Sequence, residues 1–352
     1  MEPLNALVAF SNYVLIPGAS YGAQLALGAL GVTLIYGILR FSNFAHGDTM
    51  AFGTVATILF TWLFQGWGLH LGPLPTALLA LPFGIATTAV LLLGTDRVVY
   101  RFYRRRKAAP VILVIVSVGV MFVMNGLVRV VLSVGAVFLA PEGQQDTRGT
   151  DDVNFADGAR FIINARQFKD MTGLDEGLAI RATTAITLVA AGIAVGVLFW
   201  FLNRTRTGKS MRAFSDNEDL ALLSGINPER VVMVTWLIVA ALATTAGVLY
   251  GLDKSFRAFT YFQLLLPIFA AAIVGGLGSP LGAVAGGFVI AFSEVTVTYA
   301  FKKVLGYLAP GGWEPDGLVQ LMSTDYKFAV SFAILIVVLL FRPTGLFRGK
   351  SV

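Results

Sequence analysis

Cysteine is absent from this 352-residue chain. That excludes disulfides and thiolate-held metal and leaves the redox compartment unreadable. Histidine is nearly absent: His46 and His70 stand apart, no Ser-His-Asp constellation accompanies them, and no carboxylate–histidine cluster has metal spacing. Catalysis and metal binding have nothing to build on here. Charge is also scarce, at 13% of residues against 56% hydrophobic, where a soluble domain averages about 25% charged. So few ions cannot hold so much apolar side chain in water. No Lys or Arg precedes Arg40, and Glu2 sits at the start, which argues against a cleavable signal.

What is present instead is a series of apolar runs of the length that crosses a bilayer, about 20 residues each. Spans are expected near 19–39, 48–66, 73–94, 110–132, 181–202, 231–251, 261–277, 282–301 and 327–341. The fold class is therefore an all-α polytopic membrane protein with eight or nine transmembrane helices, organised as a single transmembrane domain over 1–352. The net charge of +6 is explained by short basic loops rather than by nucleic acid. Six basic residues, Arg97, Arg101, Arg104, Arg105, Arg106 and Lys107, share the 95–109 loop with the single acid Asp96. Arg204, Arg206, Lys209 and Arg212 follow in the 203–230 loop, and Arg342, Arg348 and Lys350 in the tail. The positive-inside rule puts all three in the cytoplasm, with the acid-rich 141–178 stretch and the N-terminus outside and the C-terminus inside. Residues 4–17, ending in Pro17-Gly18, read as an interfacial helix.

Two segments interrupt the apolar pattern. In "FSNFAHGDTMAFG" (41–53), Asn43, His46 and Asp48 fall between two spans. In "AAIVGGLGSPLGAVAGGF" (271–288), Gly275, Gly276, Gly278, Pro280 and Gly282 cluster. Breaks at membrane depth are tolerated only where protein or water satisfies the freed backbone. Their occurrence in both halves suggests two pseudo-symmetric repeats with broken or re-entrant segments around a central path. For the glycine cluster, close helix packing explains the pattern equally well, because Gly278, Gly282 and Gly286 repeat every four residues.

The loop "NRTRTGKSMRAFSDNEDLALLSGINPER" (203–230) carries a short helix outside the membrane. Ser215 with Glu218 reads as a capping box, Asp216, Glu218 and Asp219 suit a first turn, and Gly225 with Asn227-Pro228 reads as the stop. Such a helix is marginal alone, so it packs on the rest of the chain or on a partner. The "GKS" at 208–210 is not a phosphate loop, since Asn203 occupies the place of the required first glycine.

Taken together, "GALGVTLIYGILRFSNFAHGDTMAFG" (28–53), "TRTGKSMRAFSDNEDLALLSGINPERV" (205–231), "GGLGSPLGAVAGG" (275–287) and "LLFRPTGLF" (339–347) resemble the permease subunit of bacterial branched-chain amino acid ABC importers, the LivH kind. The resemblance implies a bacterial inner-membrane permease working with a second permease subunit, two cytoplasmic ATPases and a periplasmic substrate-binding protein. ATP-Mg would sit on the ATPases, with no cofactor on this chain. It also implies that 212–227 is a coupling helix, with docking carried by Arg212, Ala213, Ala221, Gly225 and Ile226 alongside the capping pair Ser215 and Glu218. Ser42, Asn43, His46, Gly47 and Asp48, with Gly275, Gly276 and Gly278, would lie at the translocation path. The 141–178 loop is longer than the family pattern, and relatives on this plan also carry urea and short amides.

Individual residues leave alternatives. Asn43 can hold a carboxylate, an ammonium or a urea, or it caps a helix. His46 reads as a structural hydrogen bond beside the path, and Asp48 as a contributor there or as the cap of the next span. Arg129, Arg181 and Glu294 read as snorkelling residues near outer span ends, His70 as interfacial, and Trp200 and Trp236 as belt residues. The expected function is ATP-driven import of branched-chain or small aliphatic amino acids. Rivals are the same machine carrying urea or short amides, a proton-coupled secondary transporter using His46 and Asp48, and a passive channel.

Overall fold

The computed structural model describes residues 2–72, 74–141, 153–155, 161–308, 317 and 319–347. Most of the acidic part of the 141–178 loop, and Arg348 and Lys350 of the basic tail, lie outside the described residues. Among the described residues, eight helices are long and apolar enough to cross a membrane: α1 (Glu2–Leu39), α2 (His46–Gly66), α3 (Ala77–Arg105), α4 (Pro110–Leu139), α6 (Ala182–Arg204), α9 (Pro228–Lys254), α10 (Ala258–Gly275) and α11 (Pro280–Thr298). A shorter apolar helix, α13 (Lys327–Phe341), follows them. Between these lie α5 (Ala165–Thr172), α7 (Arg206–Asp216), α8 (Glu218–Leu223) and α12 (Lys302–Leu308), and the strands β1 (Phe161–Ile163) and β2 (Ile180–Arg181) form an antiparallel pair.

The long helices alternate in direction, so all the basic segments gather at one end, here the basic end. The N-terminus, α5, the strand pair and α12 gather at the far end. The breaks at 40–45 and 276–279 each join a helix that runs toward the basic end to one that runs away from it. The two interruptions are thus parallel in sense, not inverted.

The first helix corrects one expectation. Residues 4–17 are not a separate interfacial helix; they continue into the span as one 38-residue column. Pro17 lacks a backbone N–H, and the π turn at Ser11–Leu15 just before it absorbs the missing bond without a break. Gly18 and Gly22 open the surface rather than ending the helix: a Cβ on either would come within 2.7 and 2.6 Å of the Phe292 and Phe288 rings of α11. At about 1.5 Å per residue the column outreaches the hydrocarbon, and its first turns stand at the far end.

Hydrocarbon supplies no hydrophobic drive between helices, so small residues that let backbones approach hold the bundle together. α1 is the centre: from Gly22 to Ile35 every residue is buried, against α6, α9, α10 and α11. A Cβ on Gly286 would fall 2.1 Å from the Ala271 carbonyl, and one on Gly287 2.6 Å from the Ala26 nitrogen. Outward faces remain apolar, with Phe122 and Phe138 of α4, Ile193 and Trp200 of α6 and Phe341 of α13 exposed as surface for lipid.

At the far end, parts of the 141–178 loop are stitched to the body. Val153 pairs antiparallel with Phe256, and the buried Phe155 accepts from Gln65. Asn5 Nδ2 donates to Asp175 at 3.1 Å, and the Ala179 amide donates to Asn12 at 3.0 Å. Lys303 Nζ meets Glu176 Oε1 at 3.0 Å, and the Tyr307 hydroxyl donates to the same oxygen at 3.1 Å. The Glu176 hydrogen bond raises the Lys303 amine above the usual lysine value.

Candidate functional site

The first break is built from its own side chains. Arg40 ends α1 in the left-handed region (φ 57°), and its guanidinium donates to the Ser215 carbonyl at 2.7 Å. Asn43 Oδ1 accepts from the Ala45 amide and from the Tyr100 hydroxyl, both at 3.1 Å. An acceptor two residues before the freed amide is an Asx turn, so Asn43 starts α2 and ties it to α3. Ser117 of α4 closes the other side, with its Oγ accepting from the Phe44 amide at 3.1 Å and lying 3.4 Å from the Ser42 carbonyl as a donor. Gly47 lets α2 touch α10, where a Cβ would lie 2.7 Å from the Tyr261 carbonyl.

His46 and Asp48 do not behave as expected. His46 is fully buried, and neither ring nitrogen has a hydrogen-bond partner among the described residues. The ring fills the notch left by Gly31 and lies beside the Gly28 backbone, short of hydrogen-bond geometry. Asp48 does not cap its helix, since α2 begins two residues earlier. Its Oδ1 accepts from Asn125 Nδ2 across to α4 at 2.9 Å, and Arg129 donates to Asn125 Oδ1 at 3.3 Å.

From Asn43 a polar chain runs to the basic surface. Tyr100 stacks on Trp236, with ring centroids 5.5 Å apart and 16° between planes. Trp236 Nε1 donates to Asp96 Oδ1 at 2.8 Å, and Asp96 receives both ends of the Arg104 guanidinium. Glu229 of α9 completes the chain with Arg101 at 3.1 Å and Arg104 at 3.9 Å. Trp236 is therefore no belt residue: it is wholly buried, while Trp200 is exposed.

The second break is a close turn. Gly276 and Gly278 have φ of 111° and 84°, and Ser279 accepts from the Gly282 amide to start α11. A Cβ on Gly275 would lie 2.1 Å from the Gly282 carbonyl. The tail folds back here, as the amides of Leu346 and Phe347 donate to the carbonyls of Val274 and Gly275 at 2.8 and 3.1 Å. These bonds satisfy the carbonyls that end α10.

The 203–230 segment corrects the expected capping box. Ser215 lies within α7, and the cap of α8 is Asn217, whose Oδ1 accepts from the Leu220 amide at 3.1 Å. The expected single short helix is instead two helices joined at the extended Asn217. Gly225, at φ 79°, ends α8, with Ile226 N–H bonded back to the Ala221 carbonyl. Asn227-Pro228 is less a stop than a start: Asn227 caps α9 and Pro228 is its first residue. The "GKS" residues are helical. Met211, Phe214 and Ala221 are buried and fix the segment to the body, whereas Arg212, Ala213, Glu218 and Gly225 are exposed, together with Leu220, Leu222 and Leu223.

Two cavities bring the predicted groups together in part. One of about 170 Å³ joins Gly278 and Pro280 to Arg212, Ser215 and Gly37. The other, about 520 Å³, sets Glu218, Asp219 and Leu222 opposite Arg40, Arg104 and Lys107. Asn43, His46 and Asp48 line neither. The residues missed were Tyr100, Asp96, Trp236 and the far-end group at Glu294, which is 1% exposed and bonded to Ser331 rather than snorkelling. Ionisable residues at Lys254, Glu294 and Lys327 were the available signal, since such groups within spans face partners.

The family described as "Branched-chain amino acid transport system / permease component" matches residues 14–339. The chain is 30% identical over 340 residues to the high-affinity branched-chain amino acid transport system permease protein LivH of Escherichia coli (strain K12), covering 95% of this chain and 94% of that protein. It is 28% identical over 340 residues to the permease protein BraD of Pseudomonas aeruginosa, with 96% of each covered. The probable branched-chain amino acid transport permease protein LivH of Methanocaldococcus jannaschii is 26% identical over 326 residues, 93% of this chain and 89% of that protein. This membrane chain belongs to the branched-chain amino acid ABC transporter permease family.

Proposed function

We propose that the chain is the membrane-spanning subunit of an ATP-driven importer that carries branched-chain or other small aliphatic amino acids, delivered by an external binding protein. One observation supports this most: α7 and α8 stand beyond the spans with Leu220, Leu222 and Leu223 at 60%, 43% and 85% exposure. Their other face is bonded to the first break through Arg40 and Ser215. An apolar knuckle outside the membrane needs a protein to cover it, and a cytoplasmic ATPase is the partner that this family implies.

On this reading the basic end faces the cytoplasm of a bacterial inner membrane, and the far end, with the 141–178 loop, faces the binding protein. ATP-Mg binds to two ATPase subunits, and a second permease completes the pore. Arg212, Ala213, Glu218 and Gly225 meet the ATPase, while Ser215, Ala221 and Ile226 hold the element to the body. Asn43, His46, Gly47 and Asp48 brace the path next to Ser42; Gly275 and Gly276 set the second break, and Gly278 opens toward the coupling segment. The test is uptake of labelled leucine by the complete transporter in proteoliposomes. ATP-dependent uptake, lost in Leu223→Asp, is expected; uptake by this chain alone driven by a proton gradient would overturn the reading.

A further inference from the structure

The far end holds a group of charges that no coupling role uses. A cavity of about 220 Å³ opens between α1, α9, α11 and α13, and Tyr21, Lys254, Glu294, Thr298, Tyr299 and Lys327 line it. That is smaller than the ~300–1,000 Å³ of sites for drug-sized ligands, so the occupant must be small.

The charges do not neutralise one another by contact. Glu294 is 1% exposed; Ser331 donates to its Oε1, and the Tyr21 hydroxyl faces the carboxylate without closing to hydrogen-bond geometry, which leaves Oε2 without a full bond. Among the described residues neither Lys254 nor Lys327 forms an ion pair with Glu294. Lys254 Nζ instead stands over the Tyr21 and Tyr250 rings, 4.9 and 5.4 Å from their centroids, and Lys327 over Phe328 at 4.7 Å. A purely structural ion pair would close to contact, because an unpaired buried carboxylate oxygen is costly. Here one carboxylate oxygen and two ammonium groups are held apart around a cavity.

We propose that this cavity is a binding site for the charged head of a free α-amino acid. Glu294 Oε2 accepts from the ligand's ammonium, and Lys254 and Lys327 meet its carboxylate. The aliphatic side chain lies toward Val295 and the tyrosine rings. The proposal rests on the importer reading above and deepens it by giving the substrate a first stop on this chain, before the break at Asn43. Recognition of both charges would favour a zwitterion over urea or a simple amide, which offer no carboxylate to the lysines.

The absence of cysteine makes the test direct. Thr298→Cys supplies a single thiol in the cavity wall of the complete transporter, whose leucine uptake is measured in the same preparation. Alkylation of that thiol should slow about tenfold at a leucine concentration ten times the dissociation constant, since only the free fraction reacts. Leucinamide and isovalerate, each lacking one charge, should give little protection, and Glu294→Gln should abolish the protection by leucine. Leucine uptake with unchanged labelling would overturn the site and leave the importer intact. Absence of both uptake and protection would overturn the importer reading and the site with it. Equal protection by leucinamide would overturn the pairing with the lysines.

Discussion

Trp236 of α9, itself wholly buried, donates its indole N–H to Asp96 of α3 at 2.8 Å. That bond joins the helix following the α7–α8 segment to the helix whose Tyr100 holds Asn43. The first break and the α7–α8 segment are therefore linked by side chains as well as by the Arg40–Ser215 bond.

Trp236→Phe keeps the ring stacked on Tyr100 but leaves the buried Asp96 with one donor fewer. A loss of about 1–3 kcal/mol follows from removing a partner from a buried polar group. Thermal unfolding in detergent checks it, and an unchanged melting temperature would show that Arg104 alone satisfies the carboxylate.

Gly31 and His46 form a size pair. A Cβ on Gly31 would stand 2.5 Å from His46 Cε1, so Gly31→Ala should destabilise by about 1–3 kcal/mol through overpacking. His46→Ala in the same chain should recover part of that loss. Additive destabilisation in the double variant would contradict the packing role of His46.

Gly275→Ala meets a backbone carbonyl that cannot give way, and it also disturbs the carbonyls held by Leu346 and Phe347. It should be poorly folded and more readily cleaved in its tail by protease. Gly119→Ala, where nothing lies within 4 Å of the added carbon, should stay within about 0.5 kcal/mol of the parent. The two side by side separate a packing glycine from a lipid-facing one.

Lys303 gives a pH dependence at the far end. Its amine is raised in the folded protein by Glu176. The corresponding stabilisation is therefore complete below the ordinary lysine value of 10.5 and fades as pH climbs through the raised one. The melting temperature of Lys303→Met should lie below the parent at pH 9 and converge with it in the alkaline range. A constant gap would show that the contribution is packing.

The sequence made the spans and both breaks legible because length and turn residues are local properties. Gly225 was readable for the same reason, acting within its own turn, whereas Asn227-Pro228 reads as a stop and in fact starts α9. What could not be read was which way a residue faces. From Gly22 to Ile35 α1 is buried all round, so no stripe marks a facing surface, and Pro17-Gly18 looked like an end when Gly18 is a contact with α11. Trp236 and Glu294 were assigned to water or to headgroups by their place along a helix, yet their partners, Asp96 and Ser331, lie 140 and 37 residues away in the chain. The cap of α8 was missed by two residues because Ser215 and Asn217 are both good caps, and the buried Phe214 extends α7 past the serine.

The central claim is that α7 and α8 dock an ATPase, and recovery of the chain from detergent-solubilised host membranes tests it most directly. Gly225 requires φ near 79°, which proline cannot adopt, so Gly225→Pro disrupts the end of α8 without touching a span. Parent protein should bring down an ATPase, and Gly225→Pro should not. A chain that comes down alone in both samples would contradict the account.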